Sequence, residues 1–328
     1  MDLLKITGVH KKTGSDFELQ PVSFNVAKFH KIAIAGESGS GKSTLVKLIA
    51  GLAQADGGEV LFEGVRVKGP LEKLMLATPG IAYLSQHFEL KENYWVKDIL
   101  NYSNHLTEES TKELFDLCRI SQLLDRKTHQ VSGGEKQRIA LASLLVNTPR
   151  LLILDEPYSN LDLIHKATLK EVIRDVSEQL QITCMLVSHD PLDILPWADE
   201  VFVMKGGEIV QKDTPENIYR KPVNAYVARI FGRYNLIPAT SAKAFAAWGG
   251  LAKNGKDIFI RPENIQLAAK NKHTVAGMVQ RVSFLGNAYE VEVLAGTQQL
   301  VLRVLENTVK KGDAVHLSLL AEHVWYLG

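Results

Sequence analysis

Cysteine is scarce in this 328-residue chain, and long apolar runs are absent from it. The two cysteines, Cys118 and Cys184, have no Cys or His neighbour at metal-ligand spacing. Neither a disulfide framework nor a zinc site is therefore expected, and we predict two reduced residues in an apolar core. Because no stretch of about 18 apolar residues occurs, no membrane-spanning helix is expected either.

An excess of one charge is also missing. The chain has 38 Lys and Arg against 37 Asp and Glu, a formal net charge of +1, so nothing global points to nucleic acid or to an acidic partner. The segment Met1–Gly8 lacks the apolar core of a signal peptide, so we expect the protein to stay inside the cell. The length predicts two domains.

Apolar periodicity predicts an α/β arrangement in the first 232 residues. Strands are expected where apolar residues alternate or run together, and helices where they recur every three to four positions. The predicted strands are Leu3–Val9, Phe17–Val26, Lys31–Ala35, Ile81–Ser85, Leu151–Leu154 and Thr183–Val187, with hairpins at Gly57–Val67 and Val201–Gln211. The predicted helices follow Thr44, cover about Val96–Leu124, and span Glu135–Val146 and Leu163–Leu180.

Beyond Arg233 the pattern changes to short strands separated by glycine turns. The predicted strands are Asp257–Ile260, Val275–Phe284, Tyr289–Leu294, Gln299–Val304, Ala314–Leu319 and Val324–Leu327. Such a series is typical of a small antiparallel β-barrel. We place the domain boundary near Gly232–Asn235, which gives domains at residues 1–232 and 235–328.

A glycine-rich loop joins the strand at Lys31–Ala35 to the next helix. Its residues, Gly36-Glu-Ser-Gly-Ser-Gly-Lys-Ser43, fit the pattern G-x-x-x-x-G-K-[ST] in full. Glycines let backbone N–H groups turn toward a phosphate, and the N-terminus of the helix attracts the same anion. Lys42 is expected to reach the β- and γ-phosphates, the Ser43 hydroxyl to bind Mg²⁺, and Thr44 to contact the α-phosphate. The expected ATP-binding residues are Gly36, Ser38, Gly39, Ser40, Gly41, Lys42, Ser43 and Thr44.

Two adjacent carboxylates follow the apolar strand Leu151–Leu154. Carboxylates at the end of a buried strand need a cation nearby. Asp155 is therefore expected to hold Mg²⁺, directly or through water. Glu156 is expected beside the γ-phosphate, where it would polarise the attacking water.

Between these motifs stands Val131-Ser-Gly-Gly-Glu-Lys-Gln-Arg138, which resembles the LSGGQ signature that ABC ATPases combine with a P-loop. Ser132 and the N–H groups of Gly133 and Gly134 open a predicted helix and form a second anion site. The resemblance implies that this site meets the γ-phosphate of ATP held by another copy. Since the chain has one P-loop and one signature, a head-to-tail homodimer with two sandwiched ATPs is predicted.

Other positions also resemble the ABC family. Gln86 resembles the glutamine that senses Mg²⁺ and water, Asp162 ends a segment that resembles the D-loop, and His189 resembles the switch histidine at the γ-phosphate. The resemblance covers about Leu3 to Gly232. It implies an ATPase fold with a helical subdomain at about residues 88–146, in which Glu156, His189 and Gln86 serve catalysis and Ser43, Gln86 and Asp155 hold the metal.

The chain departs from the family pattern at several positions. The signature has Val131 for Leu and Glu135 for Gln, and the stretch between Gln86 and Ser132 is short. Thr13 occupies the position where an aromatic residue usually stacks on adenine. Phe17 or His10 is a possible substitute for that aromatic residue.

The second domain resembles the OB-like TOBE domain of importer ATPases for sugars, polyamines, ferric iron, sulfate and molybdate. The resemblance rests on Phe259–Ile265, Val282–Asn287 and Lys311–Asp313. It implies a peripheral subunit on the inner face of the cell membrane that works with permease subunits and, indirectly, an extracytoplasmic solute-binding protein. The segment from Phe231 to Pro238 resembles the corresponding segment of ferric-iron and polyamine importer ATPases, which implies ferric iron or a polyamine as the solute.

Phe88, Leu90, Tyr94 and Trp95 follow Gln86 and, with residues 100–124, are expected to form the groove that receives a permease helix. A core role for these aromatic and apolar residues is an equal alternative. A soluble ABC ATPase that acts on RNA or DNA through the OB-like domain is the alternative function. Because the basic residues of that domain are scattered, no nucleic acid is expected as a partner.

Overall fold

The computed structural model describes residues 2–14, 17–73, 78–86, 88, 90–248, 251, 255–319 and 324–327. The chain divides into two compact units, Met1–Pro215 and Glu216–Gly328. The division places residues 216–232 with the second unit, whereas the sequence pattern places them in the first domain. The functional domain bounds 1–232 and 235–328, and the helical subdomain at about 88–146, stay predictions.

The first unit alternates strands and helices, as the periodicity predicted. Its regular elements are β1 (Asp2–Thr13), β2 (Phe17–Ala27), β3 (Lys31–Gly36), α1 (Lys42–Ile49), β4 (Gly57–Phe62), β5 (Val65–Arg66), β6 (Ile81–Leu84), α2 (Val96–Asn101), α3 (Glu108–Leu117), α4 (Gly133–Leu145), β7 (Leu151–Asp155), α5 (Leu163–Gln179), β8 (Thr183–Val187), α6 (Pro191–Ile194), β9 (Glu200–Lys205) and β10 (Glu208–Asp213). Short 3₁₀ turns lie at Pro70–Glu72, Ser121–Leu123 and Thr128–Gln130.

Six strands of this unit form one sheet in the order β10-β9-β3-β8-β7-β6. All neighbours run parallel except β9 and β10, which pair antiparallel across the Gly206-Gly207 turn. The carboxyl ends of β3, β6, β7 and β8 therefore meet at one edge of the sheet. This edge is where open parallel sheets bind their ligands.

Both faces of this sheet are covered, which explains the fully apolar sequence of β7. Leu151 and Ile153 point into a core shared with α1, β1, β2 and β4. Leu152 and Leu154 point into a second core, shared with α2 to α5. A smaller antiparallel sheet in the order β2-β1-β4-β5 contributes to the first of these cores.

The predicted helical stretch Val96–Leu124 forms two separate helices, α2 and α3, followed by a 3₁₀ turn. Side chains at the break compete for the backbone hydrogen bonds of a continuous helix. The Asn104 side chain accepts from the N–H of Leu106, and Thr107 caps α3 by accepting from the N–H of Ser110. Helical periodicity alone does not reveal such a restart.

The second unit is built mostly of short antiparallel strands, as predicted. Its elements are α7 (Pro215–Arg220), α8 (Ala225–Ile230), β11 (Asn235–Ile237), β12 (Asp257–Ile260), β13 (Ile265–Ala268), β14 (Val275–Phe284), β15 (Tyr289–Ala295), β16 (Gln298–Val304), β17 (Ala314–Leu319) and β18 (Trp325–Leu327), with 3₁₀ turns at Ala239–Trp248 and Pro262–Asn264. The strands divide into the sheets β11-β12-β18 and β13-β17-β14-β15-β16, and residues of both sheets share one core.

Arg261 lies in the segment Phe259–Ile265, which resembles the TOBE domain, and it stabilises the fold of this unit. Its side chain is almost fully buried. The guanidinium donates hydrogen bonds to the carbonyl oxygens of Tyr219, Ala228, Gly232 and Arg233. Since a guanidinium offers five donors in a fixed plane, one side chain satisfies several carbonyls of residues 219–233.

The two cysteines lie in the apolar core beside α2 to α5, as predicted, where burial raises the pKa of each thiol to about 12. Among the helices formed by the described residues, none combines the length and apolar character that crossing a membrane requires.

Candidate nucleotide-binding site

The glycine-rich loop leaves the end of β3 and enters α1 at the ligand-binding edge of the sheet. Gly36 is tightly enclosed, because a Cβ there would lie 2.5 Å from the carbonyl oxygen of Met204 and 2.6 Å from the Ser40 hydroxyl. Gly41 has φ of 102°, a conformation that L side chains rarely adopt. The loop can therefore close around a phosphate only with glycine at these positions.

Lys42 is buried at the start of α1. Its ammonium donates to the carbonyl oxygens of Gly36 and Glu37, at 2.9 and 2.8 Å. Burial lowers the pKa of Lys42, and the nearby carboxylates of Glu156 and Asp155 partly oppose that shift. A cation that is buried inside a loop of backbone N–H groups is suited to binding a multiply charged anion.

Asp155 ends β7 and faces the first turn of α1. The Ser43 hydroxyl donates to one carboxylate oxygen at 3.0 Å, and the Tyr83 hydroxyl of β6 donates to the other at 2.7 Å. Burial and the bond to Asp155 raise the pKa of Tyr83, so its hydroxyl stays a donor. Two oxygen ligands of the type that Mg²⁺ prefers are thus brought together from separate elements.

Glu156 follows Asp155 with φ of 50°, a left-handed conformation that is uncommon outside glycine and is often found at functional sites. Its carboxylate lies 3.0 Å from Nδ1 of His189. His189 follows β8, the neighbouring strand, and its side chain is 68% exposed. The structure therefore pairs two of the three residues that the sequence predicted for catalysis.

The loop that carries His189 is anchored by hydrogen bonds and ion pairs with charged side chains. The Ser188 hydroxyl donates to Asp193, and Asp193 accepts from Lys166 and Lys170 of α5 at 2.8 and 2.7 Å. Lys166 also contacts Asp190 at 2.6 Å. Because Asp193 is almost fully buried, pairing with two cations compensates for the loss of its hydration.

These motifs surround one cavity of about 660 Å³. It is lined by Thr13, Phe17, Ser38, Gly39, Gly41, Lys42, Ser43, Thr44, Gln86, Glu156 and His189. Gln86 and Glu156 also line a neighbouring cavity of about 410 Å³. Nine of the residues predicted for the site thus share one space. Gly36 and Ser40 belong to the same loop but are not among the residues that line this cavity. Asp155 does not line it either, but it accepts a hydrogen bond from Ser43, which does.

Magnesium fits this donor set. The described residues include no group of three or more His, Cys, Asp or Glu side chains that could hold a metal ion. Mg²⁺ needs no such cage, since it keeps several waters and binds one or two protein oxygens together with phosphate oxygens. Ser43 and Asp155 supply such oxygens, and Gln86 lies on the same cavity.

The signature residues Ser132, Gly133 and Gly134 lie outside the described lining of that cavity, together with Asp162. Ser132 caps α4 in a capping box, in which its hydroxyl accepts from the N–H of Glu135 and its own N–H donates to the Glu135 carboxylate. Glu135, a departure from the family pattern, thus fixes the start of α4. Asp162 caps α5 by accepting from the N–H groups of Ile164 and His165.

Two neighbours of the site were missed in the sequence. Tyr83 carried no signal beyond its place in a strand, and its bond to Asp155 depends on the pairing of β6 with β7. His165 stands three residues after a capping aspartate, and its ring lies 3.4 Å from the Ser132 hydroxyl. The spacing Asp-x-x-His could have predicted the local bond between His165 and Asp162. It could not have predicted the contact with Ser132.

Two family models match parts of this chain. Residues 19–159 match the family model described as ABC transporter, and residues 258–327 match the model described as TOBE domain. The first match contains the glycine-rich loop, the signature and the two carboxylates. The second match contains β13 to β18 and all but the first residue of β12.

Curated relatives match over nearly the whole chain. The sulfate/thiosulfate import ATP-binding protein of Neisseria meningitidis is 32% identical, with 90% of this chain and 88% of the relative covered. The Fe(3+) ions import ATP-binding protein of Photorhabdus laumondii is 30% identical over 97% of this chain and 95% of its own. The spermidine/putrescine import ATP-binding protein of Spiroplasma citri is 30% identical over 98% and 97%.

Two solved structures each match 70% of this chain. The cbiO1 protein of Clostridium perfringens, part of the ABC transporter complex cbiONQ, has a TM-score of 0.58 at 25% identity. The match covers 70% of this chain and 93% of that one. An ATP-binding cassette of an ABC transporter in its ADP conformation, at 24% identity, shares the fold with a TM-score of 0.59.

Proposed function

Since the chain belongs to the ABC transporter family of ATP-binding proteins and carries a TOBE domain, we propose that it powers the import of a solute through separate membrane subunits. As a member of this family it is an ATP hydrolase. The observation that carries the proposal is the cavity at the edge of the parallel sheet. It joins the phosphate loop, Gln86, Glu156 and His189, which come from four different strand ends.

The mechanism follows from the positions of these side chains. The loop and Lys42 bind and orient the phosphates, and a bound Mg²⁺, held by Ser43 and Asp155, would neutralise their charge. Glu156 accepts the proton of the attacking water as a general base. His189, at 3.0 Å from Glu156, orients that carboxylate and donates to the γ-phosphate. Gln86, which lines the same cavity, positions the water.

The working unit is a head-to-tail homodimer. Ser132, Gly133 and Gly134 form an anion site at the N-terminus of the thirteen-residue helix α4, outside the described lining of the ATP cavity. Because these residues do not line the chain's own ATP cavity, we expect this site to bind the γ-phosphate of the ATP held by a second copy. Each composite site then needs the loop of one chain and the signature of the other.

Phe17 is the adenine platform in this proposal. It lines the cavity with Thr13, and its ring packs so closely on the loop that a Cβ on Gly41 would lie 2.8 Å from it. His10, the other candidate, instead bonds the carbonyl of Gly8 and packs on Gly57. An aromatic face at the mouth of the phosphate loop supports base stacking, which Thr13 cannot supply.

Replacing Phe17 with alanine is expected to weaken ATP binding by about 10- to 100-fold, since stacking of one base on an aromatic ring contributes about 1–3 kcal/mol. Calorimetric titration with ATP measures the effect. Phe17→Tyr is the matched control and should bind like the wild type. Equal affinity of the alanine and tyrosine variants would remove Phe17 from the adenine site.

A groove for a membrane partner is supported next to Gln86. A cavity of about 570 Å³ is lined by Phe88, Leu90, Lys91, Glu92, Thr128, His129, Gly133 and Lys136. Phe88 and Leu90 are only partly buried, while Tyr94 and Trp95 are 51% and 40% exposed. The predicted groove segment runs from His87 to Trp95, and its positions 87 and 89 lie outside the described residues. A groove of mixed lining that begins two residues after Gln86, with Phe88 and Leu90 among its residues, suits a short amphipathic helix of a permease.

This role places the chain at the inner face of the cell membrane, with a permease and, through it, an extracytoplasmic solute-binding protein. Ferric iron or a polyamine is the proposed solute. The relatives support an importer role but differ in what their names say they import: sulfate, ferric ions or spermidine.

Deletion of the encoding gene is expected to lower uptake of radiolabelled ferric iron or of spermidine, but not of both. Uptake should return with the wild-type gene and should stay low with a Lys42→Met gene, since transport requires bound ATP. Sulfate uptake is measured in the same strains, because some relatives carry that name. Wild-type uptake of both ferric iron and spermidine after deletion would contradict the proposed solutes.

A further inference from the structure

The ring of His165 lies against the first turn of α4, between two segments that the proposed sandwich uses. Its Nε2 is 3.4 Å from the hydroxyl of Ser132, and its Nδ1 is 2.6 Å from the carboxylate of Asp162. A Cβ on Gly134 would lie 2.5 Å from the ring. One side chain of α5 thus contacts the serine and the second glycine of the signature and the last residue of the D-loop.

The bond between His165 and Asp162 fixes the orientation of the imidazole ring. Asp162 has its pKa lowered, chiefly by the bonds from the backbone and side chain of His165, and is therefore an ionised acceptor. The ionised Asp162 carboxylate accepts from Nδ1, so the ring carries a proton on that nitrogen. This bond holds Nε2 beside the Ser132 oxygen, at 3.4 Å.

This contact adds something that capping of α4 does not. The capping box between Ser132 and Glu135 already satisfies the start of the helix. It uses the Ser132 hydroxyl as an acceptor only, so the hydroxyl proton stays available to a phosphate. Ser132 is also exposed, and an exposed serine without a second partner would sample several rotamers.

We propose that His165 is a positioning residue for the composite ATP site: it fixes the Ser132 hydroxyl and the Gly134 backbone in one arrangement before the second chain arrives. The inference rests on the proposed sandwich. A signature segment whose serine oxygen and Gly134 backbone are already held in place loses less conformational freedom when it meets the γ-phosphate of the other chain, so the dimer forms at lower protein concentration. The ring also contacts Asp162, so it holds the signature and the D-loop in a fixed relative position before they contact the second chain.

Two variants separate packing from hydrogen bonding. His165→Leu keeps an apolar side chain over Gly134 and loses both polar contacts, whereas His165→Gln keeps an amide that can reach Ser132. The readout is the protein concentration that gives half-maximal ATP hydrolysis per chain. We expect an increase of about tenfold for the leucine variant, chiefly from the lost contact with Ser132, and recovery of most of it in the glutamine variant, which restores that contact.

Binding of ATP to the dilute single chain should be unchanged in both variants, because His165 lies outside the described lining of the ATP cavity. A structural defect in the ATPase unit would weaken this binding too, so the comparison distinguishes positioning from misfolding. If the leucine variant does not fold, His165→Asn replaces it, since asparagine can reach Asp162 but not Ser132.

The inference is overturned if the leucine variant hydrolyses ATP with the concentration dependence of the wild type, or if glutamine is no better than leucine or asparagine. A Ser132→Ala variant identifies which claim has failed. Wild-type hydrolysis by Ser132→Ala would contradict the proposed sandwich itself. A defective Ser132→Ala beside a normal His165→Leu would overturn only the role of His165.

Discussion

Hydrolysis of ATP by a Glu156→Gln variant is expected to fall by about 10²–10⁴-fold, while its affinity for ATP stays within about twofold of the wild type. Glutamine has nearly the same shape as glutamate and keeps an oxygen for the contact with His189 at 3.0 Å. It cannot accept the proton of the attacking water. The variant therefore removes the chemical step and leaves the phosphate loop, Lys42 and Ser43 intact.

Phosphate release and calorimetric ATP binding, measured on the same preparation, separate these two effects. Glu59→Gln is the matched control, because Glu59 is exposed on β4 and lies outside the described lining of the ATP cavity. It should hydrolyse ATP normally. Hydrolysis by Glu156→Gln at the wild-type rate would show that another group is the general base.

Replacing Lys42 with methionine is expected to weaken ATP binding by at least about 100-fold. Methionine keeps most of the apolar stem, but it loses a cation whose hydrogen bonds to phosphate oxygens contribute about 1.5–3 kcal/mol each. The nucleotide-free variant should be as stable as the wild type or more stable, because burial disfavours the ammonium and lowers the pKa of Lys42. ATP should then no longer raise its melting temperature.

Thermal unfolding with and without ATP measures both parts of this prediction. In the wild type, ATP at a hundred times its dissociation constant should stabilise the folded state by about 2.7 kcal/mol. Lys47→Met is the matched control, since Lys47 is exposed in the last turn of the same helix. If ATP stabilised Lys42→Met as it does the wild type, the phosphate loop would not be the binding site.

The phosphate end of the site could be predicted from the sequence because each motif is local. The loop at Gly36–Ser43 needs glycine for its backbone, and the carboxylates Asp155 and Glu156 follow a strand that only a buried sheet explains. Parallel pairing of β3, β7 and β8 then brings these ends together without further information. Local chemistry and one topological rule were sufficient here.

Contacts that depend on pairing between distant segments could not be predicted. Tyr83 reaches Asp155 only because β6 lies beside β7, and His165 reaches Ser132 only because α5 packs beside α4. Neither contact follows from a spacing in the sequence. The adenine end was uncertain for the same reason: Phe17 starts β2, and its approach to Gly41 arises from the packing of two separate sheets.

The interruption between α2 and α3 was missed because hydrophobic period reports which face of a helix is buried, not whether its backbone is continuous. Asn104 and Thr107 end one helix and start the next by side-chain hydrogen bonds. In the second unit, the six predicted strands are present, but β11 and β13 were missed, and the division into two sheets depends on pairings such as β12 with β18. Strand periodicity carries no information about partners.

The central claim is that two copies of the chain close around two ATP molecules. Light scattering on Glu156→Gln measures it most directly, because this variant should hold ATP without consuming it. A molar mass of 36.4 kDa is expected without nucleotide and twice that mass with saturating ATP and Mg²⁺. A mass that stays at that of one chain under saturating ATP would contradict the sandwich.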